Sequence, residues 1–177
     1  LTKENDVIFS DQLNHASIID GTRISKAKVK VYTHKDTNDL EKKIKEELKV
    51  NDNENKSNFF IISDGVFSMD GDIAPLPELV EIADKYNCTL IIDEAHATGV
   101  IGKTGKGTVE YYKDKTGIDL TDSVDLQIGT LSKALASEGG FVCGKQVYID
   151  YLINKSRPFI FSTALSPATI ASANAAL

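Results

Sequence analysis

Lys133 follows the apolar run Val124-Asp125-Leu126-Gln127-Ile128 in a turn of small residues, with hydroxyls at Thr130 and Ser132. A lysine amine becomes a nucleophile when it is desolvated or set beside other cations, and it then forms Schiff bases with aldehydes. Thr130 and Ser132 could meet a phosphate at the same turn. The bland alternative is a solvated surface lysine. A second segment, Thr89-Leu90-Ile91-Ile92-Asp93-Glu94-Ala95-His96, reads as a buried strand that ends on an acid, with a histidine three residues on. In open α/β sheets, ligands sit beyond the carboxyl ends of the strands, so Asp93 could pair with a buried cation there. It could equally cap a turn, leaving His96 on the surface.

Two further segments invite chemistry. Asp64-Gly65-Val66-Phe67-Ser68-Met69-Asp70-Gly71-Asp72 packs acids and glycines into a tight loop after a strand. Phe67 and Met69 fit poorly into an oxygen-ligand cage for Ca²⁺. Ala97-Thr98-Gly99-Val100-Ile101-Gly102-Lys103-Thr104 matches a loose P-loop pattern, with Asp93–His96 as an acidic box. A P-loop ATPase is therefore the rival enzyme class. The order is wrong for it, because the acidic box precedes the phosphate loop. Gly105 and Gly107 also follow where a helix should open.

These segments need a scaffold, and the patterning supplies one. Short apolar runs at Asp6–Ser10, Lys28–Tyr32, Asn58–Ser63, Thr89–Asp93, Val124–Ile128 and Gly140–Gly144 read as strands. Between them, Leu40, Ile44 and Leu48 recur at helical spacing and predict a helix over Asp39–Val50. Leu79, Val80, Ala83 and Tyr86 predict another over Pro77–Tyr86, with Pro75 and Pro77 suited to its first turn. A third is expected over Gln146–Lys155, with Val147, Tyr151 and Leu152 inward. The polar stretch 51–57 reads as a surface loop. Alternating strands and helices mean an α/β fold with a mainly parallel sheet, in a single domain over residues 1–177.

Bulk properties remove several function classes. With 41% hydrophobic and 26% charged residues the chain is neither disordered nor fibrous, and a net charge of −6 disfavours nucleic acid and anionic membranes. No apolar run approaches the ~20 residues of a membrane span, and Leu1–Asn5 lacks a signal-peptide layout, so a cytoplasmic protein is expected. Cys88 and Cys143 have no partner motif and read as reduced and buried, and no metal site is expected. His34 matches no motif and reads as a surface residue. The chain starts without Met, and Pro167–Ala176 reads as a helix still in progress at its end.

Read together, these segments resemble the α-oxoamine synthases, a family of fold-type I pyridoxal-phosphate (PLP) enzymes. The matches are Asp11–Gly21, Asp64–Asp72, Asp93–Gly107, Thr130–Leu135 and Arg157–Thr163. Their order and spacing make the likeness specific. It implies the central part of a large, cofactor-binding domain, with a glycine-rich phosphate loop upstream of Leu1 and a smaller domain beyond Leu177. It also implies a PLP-dependent decarboxylative condensation of an amino acid with an acyl-CoA. Asp72–Leu76 and Phe159–Leu165 look most like members that join L-alanine to a pimeloyl thioester in biotin synthesis. Leu13–Gly21 and Ser63–Gly71 fit the glycine-using acetyltransferases equally well.

Carried over by position, the resemblance makes Lys133 the Schiff-base lysine and the base that removes the α-proton. Asp93 would pair with the pyridinium nitrogen, His15 would stack on the ring, and His96 would bond the ring oxygen. His15 could instead merely cap a helix. Ser68 would contact the cofactor and Thr130 its phosphate. Ser162 and Thr163 would reach the phosphate of a neighbouring subunit, which implies a homodimer with its active site at the interface.

Overall fold

The computed structural model of the chain describes residues 1–50 and 57–177; the loop expected over 51–57 lies almost entirely outside them. In chain order the elements are β1 (Val7–Asp11), α1 (Ala16–Ile24), β2 (Lys28–Tyr32), α2 (Thr37–Val50), β3 (Phe59–Asp64), α3 (Leu76–Tyr86) and β4 (Thr89–Asp93). There follow α4 (Thr108–Thr116), β5 (Leu126–Thr130), β6 (Gly140–Gly144), α5 (Gln146–Lys155), α6 (Arg157–Ile160) and α7 (Pro167–Ala176). Among the described residues the strands form one sheet in the order β2-β1-β3-β4-β5-β6. All neighbours pair parallel except β5 with β6. The expected α/β class and parallel sheet are both present.

Side-chain alternation sorts the strands onto two faces. Phe9, Phe59, Ile61, Leu90 and Ile92 meet Leu40, Ile44, Leu76 and Leu79 of α2 and α3 in the main core. The opposite face holds a much smaller cluster of Ile8, Ala27 and Phe60, flanked by the partly buried Ile62 and Ile91. α3 begins as its prolines suggest, with Pro75 as N-cap and Pro77 in the first turn, and ends on Asn87 in the left-handed conformation.

Three expectations fail at the edge of the sheet or beyond local reach. α5 forms over its expected range but buries none of its residues; Val147 is 69% and Tyr151 43% exposed. Ile149, Leu152 and Ile153 line an apolar cleft of about 570 Å³ that also borders Phe141 and Val142, and the Tyr148 hydroxyl lies 3.2 Å from that of Thr89. Cys143 is exposed rather than buried, because β6 is an edge strand with no residue fully covered; Cys88 is buried, and both thiols are free. His34 is no bystander on the surface. Its ring is clasped between two carboxylates, drawn from segments the sequence separates widely.

Candidate functional site

Because β1, β3, β4 and β5 run parallel, their carboxyl ends share one edge of the sheet, the edge where α/β folds bind ligands. The register sets Asp64 beside Asp93 and Asp93 beside Ile128. Just beyond this row lies a cleft of about 210 Å³. Its walls are His15 and Ser17 after β1, Asp64 from β3, Asp93, Ala95 and His96 from β4 onward, and Ile128, Gly129, Thr130 and Lys133 from β5 onward. Five of the residues singled out in the sequence, His15, Asp93, His96, Thr130 and Lys133, therefore meet in one place. Ser68, Ser162 and Thr163 are exposed and lie outside this cleft.

Short-range bonding fixes the side chains of His15, Asp93 and Thr130. His15 is both a wall residue of the cleft and the N-cap of α1, so the capping alternative is present. Its Nδ1 accepts from the Ser17 amide at 3.2 Å and lies 2.8 Å from the Ser17 hydroxyl. A ring accepting at Nδ1 carries its hydrogen on Nε2 when neutral. The His15 amide donates to Asp64 Oδ2 at 2.7 Å, while Asn14 accepts from the Asp64 amide at 2.8 Å. Asp93 Oδ1 accepts from the Ala95 amide at 2.9 Å. Burial first, then the charge of Lys133, push the His96 pKa down, against a weaker opposing pull from Asp93, which favours its neutral imidazole.

The Lys133 turn is closed by Leu131 N–H donating to Gly139 and Ser137 N–H donating to Leu131, and Ala136 within it has φ of 48°, in the left-handed region. Leu135 anchors the turn in the interior. The Thr130 hydroxyl lies 3.1 Å from the Gly139 carbonyl and 2.7 Å from the Ser132 hydroxyl. The loop carrying His96 presses against this turn at Gly99, where φ is 76° and an added Cβ would lie 2.6 Å from that of Ala134. Behind the cleft, buried Glu94 takes the amide and hydroxyl of Thr108, each at 2.9 Å from Oε2, and so ties the far end of that loop.

The P-loop rival fails on the same loop. Ala97–Thr104 opens no helix; α4 starts only at Thr108. The Lys103 amide donates to Asp114, and Thr104 donates through its amide and hydroxyl to Glu110. Donors that would cradle a phosphate are thus already bound to carboxylates.

Sequence reading assigned no role to Asp64, although it ends its strand just as Asp93 does. Burial, reinforced by the Asp93 charge and opposed by the His15 N–H bond, raises its pKa from 3.8 to about 6. A carboxyl with a raised folded pKa stabilises most below its unfolded value and loses that contribution as pH rises through the folded one. Asp64→Asn in the full-length protein should therefore flatten the fall in unfolding free energy between pH 3.8 and about 6. Denaturant melts at several pH values test this, and an unchanged slope would count against a raised Asp64.

Comparison with known proteins places these residues in context. The family model described as aminotransferase class I and II matches residues 1–177. The 8-amino-7-oxononanoate synthase of Treponema denticola is 54% identical over 98% of this chain and 41% of that protein. The 8-amino-7-oxononanoate synthase 2 of Bacillus subtilis is 50% identical over 99% of this chain and 42% of that protein. The chain thus spans well under half the length of the curated relatives it matches. Among solved structures, a serine palmitoyltransferase variant from S. paucimobilis with a bound PLP–myriocin aldimine superposes with a TM-score of 0.86 at 31% identity, covering 99% of this chain and 41% of that one. An 8-amino-7-oxononanoate synthase from Francisella tularensis gives 0.78 at 34% identity, covering 99% and 47%. The fold is that of fold-type I PLP transferases, and family and neighbours support PLP as the cofactor. The donor set fits that group: an amine for its aldehyde, a carboxylate for its ring nitrogen, imidazoles for its ring, and a hydroxyl for its phosphate.

Proposed function

We propose, because this chain belongs to the aminotransferase class I and II family, that it is the cofactor-binding core of a PLP-dependent acyltransferase. The reaction is condensation of L-alanine with a pimeloyl thioester, releasing CO₂ and the thiol carrier and giving 8-amino-7-oxononanoate for biotin synthesis. Two observations support it: the names of relatives at 50–54% identity, and above all the single cleft that collects His15, Asp93, His96, Thr130 and Lys133.

When bound, PLP supplies an electron sink for negative charge at the α-carbon of the amino acid. Lys133 is its covalent tether and then the base that takes the α-proton. Asp93 holds a proton on the ring nitrogen. His15, fixed by Ser17 and Asp64, packs against the ring face, and neutral His96 bonds the ring oxygen. Thr130 and Ser68 bind the cofactor from this chain, while Ser162 and Thr163 reach the phosphate of a second copy in a homodimer. Residues 1–177 form one domain of a longer protein that works in the cytoplasm. Among the described residues no helix is long and apolar enough to cross a membrane.

The test is a turnover assay of the full-length protein with L-alanine, glycine and L-serine against pimeloyl-CoA, acetyl-CoA and a long-chain acyl-CoA. Alanine with pimeloyl-CoA should be the preferred pair by at least about 10-fold, as a pocket that tells a methyl group from hydrogen allows. Preference for glycine with acetyl-CoA would replace this reading with the glycine acetyltransferase. Absence of turnover with every pair would end both.

A further inference from the structure

We propose that His34 is a positioning residue for the candidate cofactor site, fixing at once the turn that carries Ser68 and the turn that presents His15. This role rests on the PLP reading of the cleft. His34 lies in the turn between β2 and α2, outside the cleft itself. Its Nδ1 is 2.8 Å from Asp11 Oδ1, and its Nε2 is 2.9 Å from Asp72 Oδ2. Ionised carboxylates only accept, so both contacts are hydrogen bonds only when both ring nitrogens carry hydrogen. The geometry is that of an imidazolium clasped between two anions.

Both ends of the clasp lead to the site. Asp72 closes the Phe67–Gly71 turn, where the Phe67 amide donates to the Asp72 carbonyl and the Gly71 amide donates to Phe67. Phe67 is buried and packs edge-on against the His34 ring, with centroids 4.4 Å apart. Ser68 rides on this turn. Asp11 has a fully covered carboxylate that also takes the Leu13 amide at 2.9 Å and the Lys35 amide at 2.9 Å. Its backbone carbonyl accepts from Asn14, which in turn bonds Asp64, the acceptor for the His15 amide. Lys35 adopts φ of 57°, an uncommon conformation for a residue with a side chain, which its amide bond to Asp11 and its Nζ bond to Asp72 hold in place.

The charged groups around His34 are Asp11 on β1, Asp72 in the loop between β3 and α3, and Lys35 next to His34 in the chain, with Nζ 2.8 Å from Asp72 Oδ2. The Tyr32 phenol near Asp11 is held neutral by burial. Burial works against the His34 charge, but bonds to Asp11 and Asp72 outweigh it and raise the His34 pKa above 6.5. A raised histidine pKa means that the clasp is complete below 6.5 and is lost as pH rises through the higher folded value.

The experiment uses the full-length protein, with and without PLP. Stability of the cofactor-free wild type should fall along an alkaline limb that His34→Gln removes and Asp72→Asn moves to lower pH. PLP affinity of His34→Gln at neutral pH should be about 10-fold weaker, the loss expected for one charge-assisted bond. A residue with only a packing role would weaken both quantities uniformly and leave the limb in place. If His34→Gln fails to fold, the limb shift in Asp72→Asn decides. Retention of the limb in His34→Gln, no shift in Asp72→Asn, or PLP affinity unchanged in a folded His34→Gln overturns the proposal. Failure of the wild type to bind PLP would sink the functional reading instead, while the cofactor-free limb would still report on the clasp.

Discussion

Full-length protein carrying Lys133→Ala should lose the visible band of covalently held PLP and at least about 10³-fold in turnover. The magnitude joins two losses, since a positioned general base alone contributes 10²–10⁴-fold and the covalent tether goes with the same amine. Folding should survive the change. Lys133 is exposed in a turn whose closure depends on the backbone groups of Leu131, Ser137 and Gly139 and on buried Leu135. Lys103→Ala is the matching control. Its side chain lies in the P-loop-like segment whose donors are already bound to Asp114 and Glu110, and both band and turnover should stay unchanged. A band that persists in Lys133→Ala would remove the lysine from its role, whatever the assay shows.

Asp93→Asn carries the second large effect, a fall in turnover of about 10²–10³-fold with the cofactor still bound. That range is the usual cost of removing one electrostatic partner from charge that develops during reaction. An amide cannot hold a proton on the ring nitrogen as a carboxylate does, so electrons at the α-carbon are stabilised less. The substitution spares the local fold, because the Asn carbonyl can still accept from the Ala95 amide that now bonds Asp93 Oδ1. Steady-state kinetics beside the spectrum of bound PLP separate the two effects. Turnover within about 10-fold of wild type would move the ring nitrogen away from Asp93.

Much of the scaffold is readable because its signals are local. Lys28–Tyr32, Thr89–Asp93 and Gly140–Gly144 form strands with the bounds their residues suggest, and the others shift by one or two positions. α2 and α3 carry strong apolar stripes and were readable for that reason. α1 and α4 were not. The first has a glycine in its middle, and the second buries only Thr108 and Val109, so neither shows a clear helical period. Lys133 and Asp93 stood out because each follows a short apolar run, which is where a parallel sheet places its ligands. Asp64 has the same position but was obscured by two other acids in its loop.

Patterns of a few residues determined that this is an α/β protein and which strand ends could hold chemistry, since alternation and spacing act along the chain. Tertiary structure alone decided the strand order, the antiparallel β6 edge and the exposed faces of Cys143 and α5. It also decided the pairing of His34 with Asp11 and Asp72, which lie 23 and 38 residues away. Partners that distant are chosen by how strands stack side by side. No window of sequence contains that information.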